Sequence, residues 1–189
     1  ASLTGSPDWV LEVPGKRLLV VENSHYLRSG LACRVYLRSL AGGADVDMKV
    51  PGRVAGLELA PDKQSFAVST SAKSLMRFST DGSLLWQTNA SPCQVVRFSP
   101  DGKTLVYITR NSGRFQLAAM DIASAQVQLL TDTQRDESPS FAPNGRMVLY
   151  ASEINGRGVL AAVEGVEQAA AVPGISAVAI TAKPGETLI

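Results

Sequence analysis

The sequence predicts an all-β chain made of repeated four-stranded antiparallel units. Three observations carry that expectation. The first is the stretch Cys93–Thr109, where two short apolar runs flank the turn Ser99-Pro100-Asp101-Gly102-Lys103. Proline presets φ at the second turn position, Asp101 can bond nearby backbone, and Gly102 takes positive φ without steric cost. The second is recurrence. The same turn returns as Ala60-Pro61-Asp62-Lys63-Gln64 and Ala142-Pro143-Asn144-Gly145-Arg146, with weaker copies at Val13-Pro14-Gly15-Lys16 and Lys183-Pro184-Gly185-Glu186. The third is spacing: Pro14, Pro61, Pro100, Pro143 and Pro184 recur roughly every 40 to 47 residues, each followed by a β-rich run. Four strands per unit at that period is the signature of a β-propeller.

The units follow in order. Residues 9–50 supply Trp9–Val13, Leu18–Val21, Cys33–Leu40 and Asp45–Val50. Residues 54–89 supply Val54–Leu59, Ser65–Ser69, Ser74–Ser79 and Ser83–Thr88. Residues 93–132 supply Gln94–Ser99, Leu105–Thr109, Phe115–Asp121 and Gln126–Thr131. Residues 137–172 supply Ser138–Phe141, Met147–Ser152, Gly158–Val163 and Glu167–Val172, and a partial fifth unit over 176–189 opens with an inner strand at Ser176–Thr181. Short polar turns between strands of this length fit an up-and-down meander. About four blades and a stub leave three closures open. The chain is part of a larger ring, or arcs complete one another in a homo-oligomer through unpaired blade edges, or the tail closes a small ring.

Composition narrows the function classes. The chain has 45% hydrophobic and 19% charged residues, a folded rather than a disordered balance. A net charge of +1 offers no field for nucleic acid. No apolar run approaches the roughly 20 residues that cross a bilayer as a helix, so membrane insertion is not expected. Cys33 and Cys93 sit on strands of different units and read as two buried thiols, which leaves the redox compartment open.

Loops carry the candidate binding residues. Asn23–Leu31 is a longer polar connection containing His25, the sole histidine, and Tyr26; as a pair they would make a contact on one rim. Arg110–Arg114 (RNSGR) and Glu153–Arg157 (EINGR) hold equivalent hairpin positions in units three and four, so Arg110 and Arg157 should project from a common face, either as a locally basic rim or as ordinary loop polarity. Thr131–Pro139 is the most charged segment and links unit three to unit four. It places Arg135, Asp136, Glu137 and Ser138 near the mouth of a central channel, either as a binding patch or as a surface turn with mutual charge pairing of little energetic value.

A family resemblance enters here. Leu129–Val163 reads LLTDTQRDESPSFAPNGRMVLYASEINGRGVLAAV and resembles the propeller of the TolB family of the Tol–Pal system. Its Leu-Thr-Asp ending, Asp136-Glu137-Ser138-Pro139-Ser140, Ala142-Pro143-Asn144-Gly145 and Gly158-Val159-Leu160 carry the likeness. Phe98-Ser99-Pro100-Asp101-Gly102-Lys103 and Met120-Asp121-Ile122-Ala123-Ser124 resemble the generic repeat of that group. The resemblance implies a non-enzymatic scaffold, periplasmic or secreted, that binds a protein partner with its loop-bearing face, the partner being an envelope lipoprotein. A cytoplasmic location is the alternative. Arg110, Arg135, Asp136, Glu137 and Ser138 are the residues it assigns to the partner face.

The chemistry of the residues agrees with a role without catalysis. A single histidine excludes a multi-histidine metal site, and no Gly-x-Ser-x-Gly, Walker or Gly-x-Gly-x-x-Gly pattern occurs, so no cofactor is expected. Asp45-Val46-Asp47 lacks the rest of a calcium loop. The alternative function is the regulatory or substrate-gating propeller of a larger peptidase whose catalytic domain lies elsewhere.

Overall fold

In the computed structural model the described residues are 7–23, 33–89 and 94–164, together with the backbone of 177–180. All regular structure among them is β-strand, and no helix there is long and apolar enough to cross a membrane. Four four-stranded antiparallel sheets follow one another, each in sequential meander order, the topology of a propeller blade. They fall into two compact units that divide between Val96 and Arg97.

The first unit holds two sheets. One comprises β1 (Trp9–Val13), β2 (Arg17–Glu22), β3 (Arg34–Ser39) and β4 (Val46–Met48); the other comprises β5 (Val54–Leu59), β6 (Ser65–Thr70), β7 (Ser74–Ser79) and β8 (Leu84–Asn89). Register sets the core. Leu19 opposes Leu37 and Val21 opposes Val35, so one face of the first sheet is aliphatic. Phe66 opposes Phe78 and Val68 opposes Met76 in the second sheet. These residues form one buried cluster, in which the Phe66 and Phe78 rings stack at 5.5 Å. Such a ring pair adds about 0.5–1.5 kcal/mol beyond its buried area. The Asn23 side chain ties the two sheets like a strand pair, donating from Nδ2 to the Val54 carbonyl and accepting the Val54 amide, both at 3.0 Å.

On the opposite face of the first sheet, Tyr36 lies against two guanidiniums, with Arg34 at 4.0 Å and Arg38 at 5.1 Å from the ring centre. Arg38 is itself held by Asp45 at 2.8 Å. Cys33 is a buried free thiol that donates to the Gly52 carbonyl, and burial pushes its pKa up. Cys93, His25 and Tyr26 lie outside the described residues.

The second unit holds β9 (Val96–Phe98) save its first residue, β10 (Thr104–Asn111), β11 (Arg114–Asp121) and β12 (Val127–Leu129), then β13 (Asp136–Phe141), β14 (Met147–Ile154), β15 (Arg157–Glu164) and β16 (Ala177–Ile180). Val106, Ile108, Leu117 and Ala119 from its first sheet cluster with Val148, Tyr150, Ala161 and Val163 from its second. The recurring turn has one geometry in all three strong copies. The amides of Lys63, Gly102 and Gly145 return to the carbonyls of Ala60, Ser99 and Ala142 at 2.8–2.9 Å. The carboxylate or amide oxygen of Asp62, Asp101 or Asn144 accepts the next amide but one.

One expectation is corrected. The segment Ser176–Thr181 was expected to open a fifth unit as its inner strand. Instead Ala177–Ile180 pairs antiparallel with β15, Leu160 opposite Ile180, as the outer strand of the fourth sheet. The outward amides and carbonyls of β15 need partners, and Ala177–Ile180 supplies them. The segment Glu167–Val172, expected in that place, lies outside the described residues.

Candidate functional site

The site is built in the second unit from two hairpins and the linker between its sheets. Both hairpins close through two-residue loops with positive φ at each central position: Ser112 (49°) and Gly113 (84°), then Asn155 (53°) and Gly156 (73°). That is the type I′ pattern, whose twist matches the flanking strands. Strands of eight residues carry these tips outward and present Arg110 and Arg114 on one, Glu153 and Arg157 on the other.

The linker runs across both hairpins just below their tips. The Phe115 amide donates to the Gln134 carbonyl at 3.1 Å, and Phe115 forms a parallel bridge with Arg135. The Glu153 amide donates to the Arg135 carbonyl at 3.0 Å. Side chains reinforce the crossing: Arg114 Nη1 meets Asp132 Oδ1 at 2.6 Å, and Gln116 Nε2 donates to Asp132 Oδ1 and the Thr133 carbonyl, both at 3.2 Å. Arg110 lies over the Phe115 ring at 5.7 Å, so both sit beside Arg135. The structure thus brings Arg110 and Arg135 onto one rim.

Asp136 and Glu137 part company there. Asp136 opposes Ser152 and Glu137 opposes Ala151, and neighbouring side chains of a strand face opposite ways. Asp136 is wholly buried. Its Oδ2 accepts the hydroxyls of Thr131 and Thr133, both at 2.5 Å, and its Oδ1 accepts the Ser152 hydroxyl at 2.7 Å. Thr131 Oγ1 in turn accepts the Leu117 amide at 2.9 Å. Burial, with the Asp136 charge as the lesser cause, pushes the Tyr150 phenol up. The expectation that Asp136 meets a partner is therefore corrected: it is an internal knot that holds the linker to β11 and β14. A buried carboxylate persists only when hydrogen-bonded in this way.

Glu137 is exposed and accepts Arg135 Nε at 2.7 Å, so these two balance each other at the surface. Ser138 is exposed with φ of 53°, and the register slips between Glu137 and Ser140. This bulge accommodates Pro139, which has no amide to give a ladder. Arg157 opposes Ile154 beside the tip, and no ion pair holds it among the described residues.

A concavity of about 280 Å³ opens next to this rim, lined by Arg135, Glu137, Ala151, Ser152, Glu153, Gly156 and Gly158. Its one lining hydroxyl, Ser152, is spent on the buried Asp136 carboxylate, and no group of three His, Cys, Asp or Glu among the described residues is placed to bind a metal. Thr131, Thr133, Ser152 and Phe115 support the rim from beneath, and the sequence did not single them out. For Ser152 the signal was present in the alternation of β14, where Val148, Tyr150 and Ser152 share a buried parity that Asp136 joins.

A meander-blade repeat protein with a charged loop rim is what fold and site define. The family model described as TolB beta propeller domain matches residues 58–172, and the chain belongs to that family. The Tol-Pal system protein TolB of Azoarcus sp. (strain BH72) is 49% identical over 56 residues, 30% of this chain and 13% of that protein. The crystal structure of TolB from Acinetobacter baumannii superposes with a TM-score of 0.56 at 26% identity, over 79% of this chain and 38% of that one. The chain therefore spans well under half the length of these relatives. The tricorn protease structure shares the fold alone: TM-score 0.64 at 10% identity, over 95% of this chain and 22% of that one.

Proposed function

We propose that this chain is a non-enzymatic docking module of the bacterial envelope, acting in the periplasm within a Tol–Pal type system. It binds a protein partner, the peptidoglycan-associated lipoprotein, through the hairpin-bearing end of its second unit. The observation that carries this reading is the rim itself. Arg110 on Phe115, Arg135 paired with Glu137, and Arg157 stand on rigid hairpins whose linker is anchored from beneath by Asp136. Residues that offer charge and aromatic surface from a fixed scaffold suit recognition. Membership in the TolB propeller family supports the same role. The peptidase-gating alternative draws on shared fold only.

The test is calorimetric binding of the soluble domain of that lipoprotein to wild type and to a variant carrying Arg110→Glu, Arg135→Glu and Arg157→Glu. Reversal of three rim charges should weaken binding at least about tenfold while the circular dichroism spectrum is unchanged. Wild-type affinity in the triple variant would sink the reading.

A further inference from the structure

The two sheets of the second unit treat one repeat position in opposite ways. In the third sheet, the second residue pair in from the type I′ turn is Arg110 opposite Phe115; in the fourth it is Glu153 opposite Gly158. Arg110 and Phe115 fill their place with a guanidinium over an aromatic ring. Glu153 and Gly158 leave theirs empty, and the concavity of about 280 Å³ is the result.

We propose that this concavity receives an arginine side chain from the docked protein partner, an inference that rests on the docking reading above. Its walls are Ala151, Gly156 and Gly158, which leave room for an aliphatic stem. Its charges are two carboxylates against one guanidinium, and Arg135 is already held by Glu137 at 2.7 Å. Glu153 is exposed and has no ion pair among the described residues. Glu137 opposes Ala151, two residues from Glu153 on the neighbouring strand, so both acids stand on one sheet face as a diagonal pair about 7–8 Å apart. A planar guanidinium offers donors to both at once, which a point-like ammonium does not. The partner's arginine thereby occupies, in the fourth sheet, the place that Arg110 takes in the third.

The test titrates the 15N-labelled 189-residue chain with Nα-acetyl-arginine methylamide and follows the amides of Glu153, Gly156 and Gly158. Saturable shifts at these three are expected, with none from the neutral citrulline analogue. Glu153→Gln should weaken binding about threefold to fivefold, the range of one exposed ion pair. Gly158→Phe should abolish it by restoring the filling seen at Phe115; a Cβ at Gly158 meets nothing within 4 Å, so the variant has space to fold. Equal shifts from citrulline, tighter binding of the lysine amide, no saturable shift from arginine, or unchanged affinity in a folded Gly158→Phe variant would each overturn the proposal. Failure here leaves lipoprotein capture intact, whereas failure of the docking reading shows as wild-type capture by the rim triple variant.

Discussion

Asp136 and Ser152 face each other across β13 and β14, and the serine hydroxyl donates to the buried carboxylate at 2.7 Å. Two threonine hydroxyls complete its coordination from the linker. Removing the acid strands the buried hydroxyls of Thr131 and Ser152 and the half-buried one of Thr133. Asp136→Ala should lower unfolding free energy by about 2–5 kcal/mol in urea melts. Ser152→Ala, which removes one donor of three, should cost only about 1–2 kcal/mol. A variant at Asp136 that is as stable as wild type but fails to bind would contradict the internal role.

Acid should loosen the recurring turns. Asp101 has its pKa depressed, first by the Ser99 hydroxyl and then by the Lys103 amide; Asp121 is depressed mainly by the Ser124 amide. A depressed folded pKa stabilises above the unfolded value of about 4 and loses that contribution as pH falls through the folded value. Stability should therefore be flat near neutrality and fall below about pH 4. Asp101→Asn should reduce the steepness of that fall in denaturant midpoints measured from pH 2 to 6. An unchanged slope would exclude Asp101 as a contributor.

The repeat offers its own control on backbone strain. Gly102 and Gly145 take φ of 73° at the turn position where the second unit of the repeat places Lys63 at 57°. A non-glycine residue in the left-handed region costs about 1 kcal/mol, partly offset by glycine's greater freedom when unfolded. Lys63→Gly should raise stability by up to about 1 kcal/mol, and Gly102→Ala should lower it by a similar amount.

The ring stack in the first unit should dominate its core. Phe66 and Phe78 are both buried and belong to one cluster with Val68 and Met76. Phe78→Ala should cost about 3–5 kcal/mol, while Phe78→Leu should cost far less because volume is largely kept. Similar losses from both would mean that the ring geometry, rather than cavity formation, carries the effect.

Much of the fold was legible because turn chemistry is local. Pro61, Pro100 and Pro143 each mark a turn whose hydrogen bonds lie within five residues, and their period declares the repeat. The rim was half legible for the opposite reason. Arg110 and Arg157 follow from counting back from Ser112-Gly113 and forward from Asn155-Gly156. The fate of Asp136 depended on which strand it faced and in what register, and Asp136-Glu137 as letters look like one acidic patch. Only pairing with Ser152 reveals that one of the two turns inward. Ala177–Ile180 was misassigned similarly: a strand reads as a strand, but its neighbour is a tertiary choice.

The kink at Ser138-Pro139 bears on self-association. β13 is the last strand on its side of the fourth sheet, yet midway along it one residue has turned left-handed and the next carries no N–H. A stray extended chain seeking to copy itself onto that margin meets a broken row of donors. The interruption guards the sheet against templated aggregation, and straightening it, as by Pro139→Val, would turn a quiet border into an adhesive one.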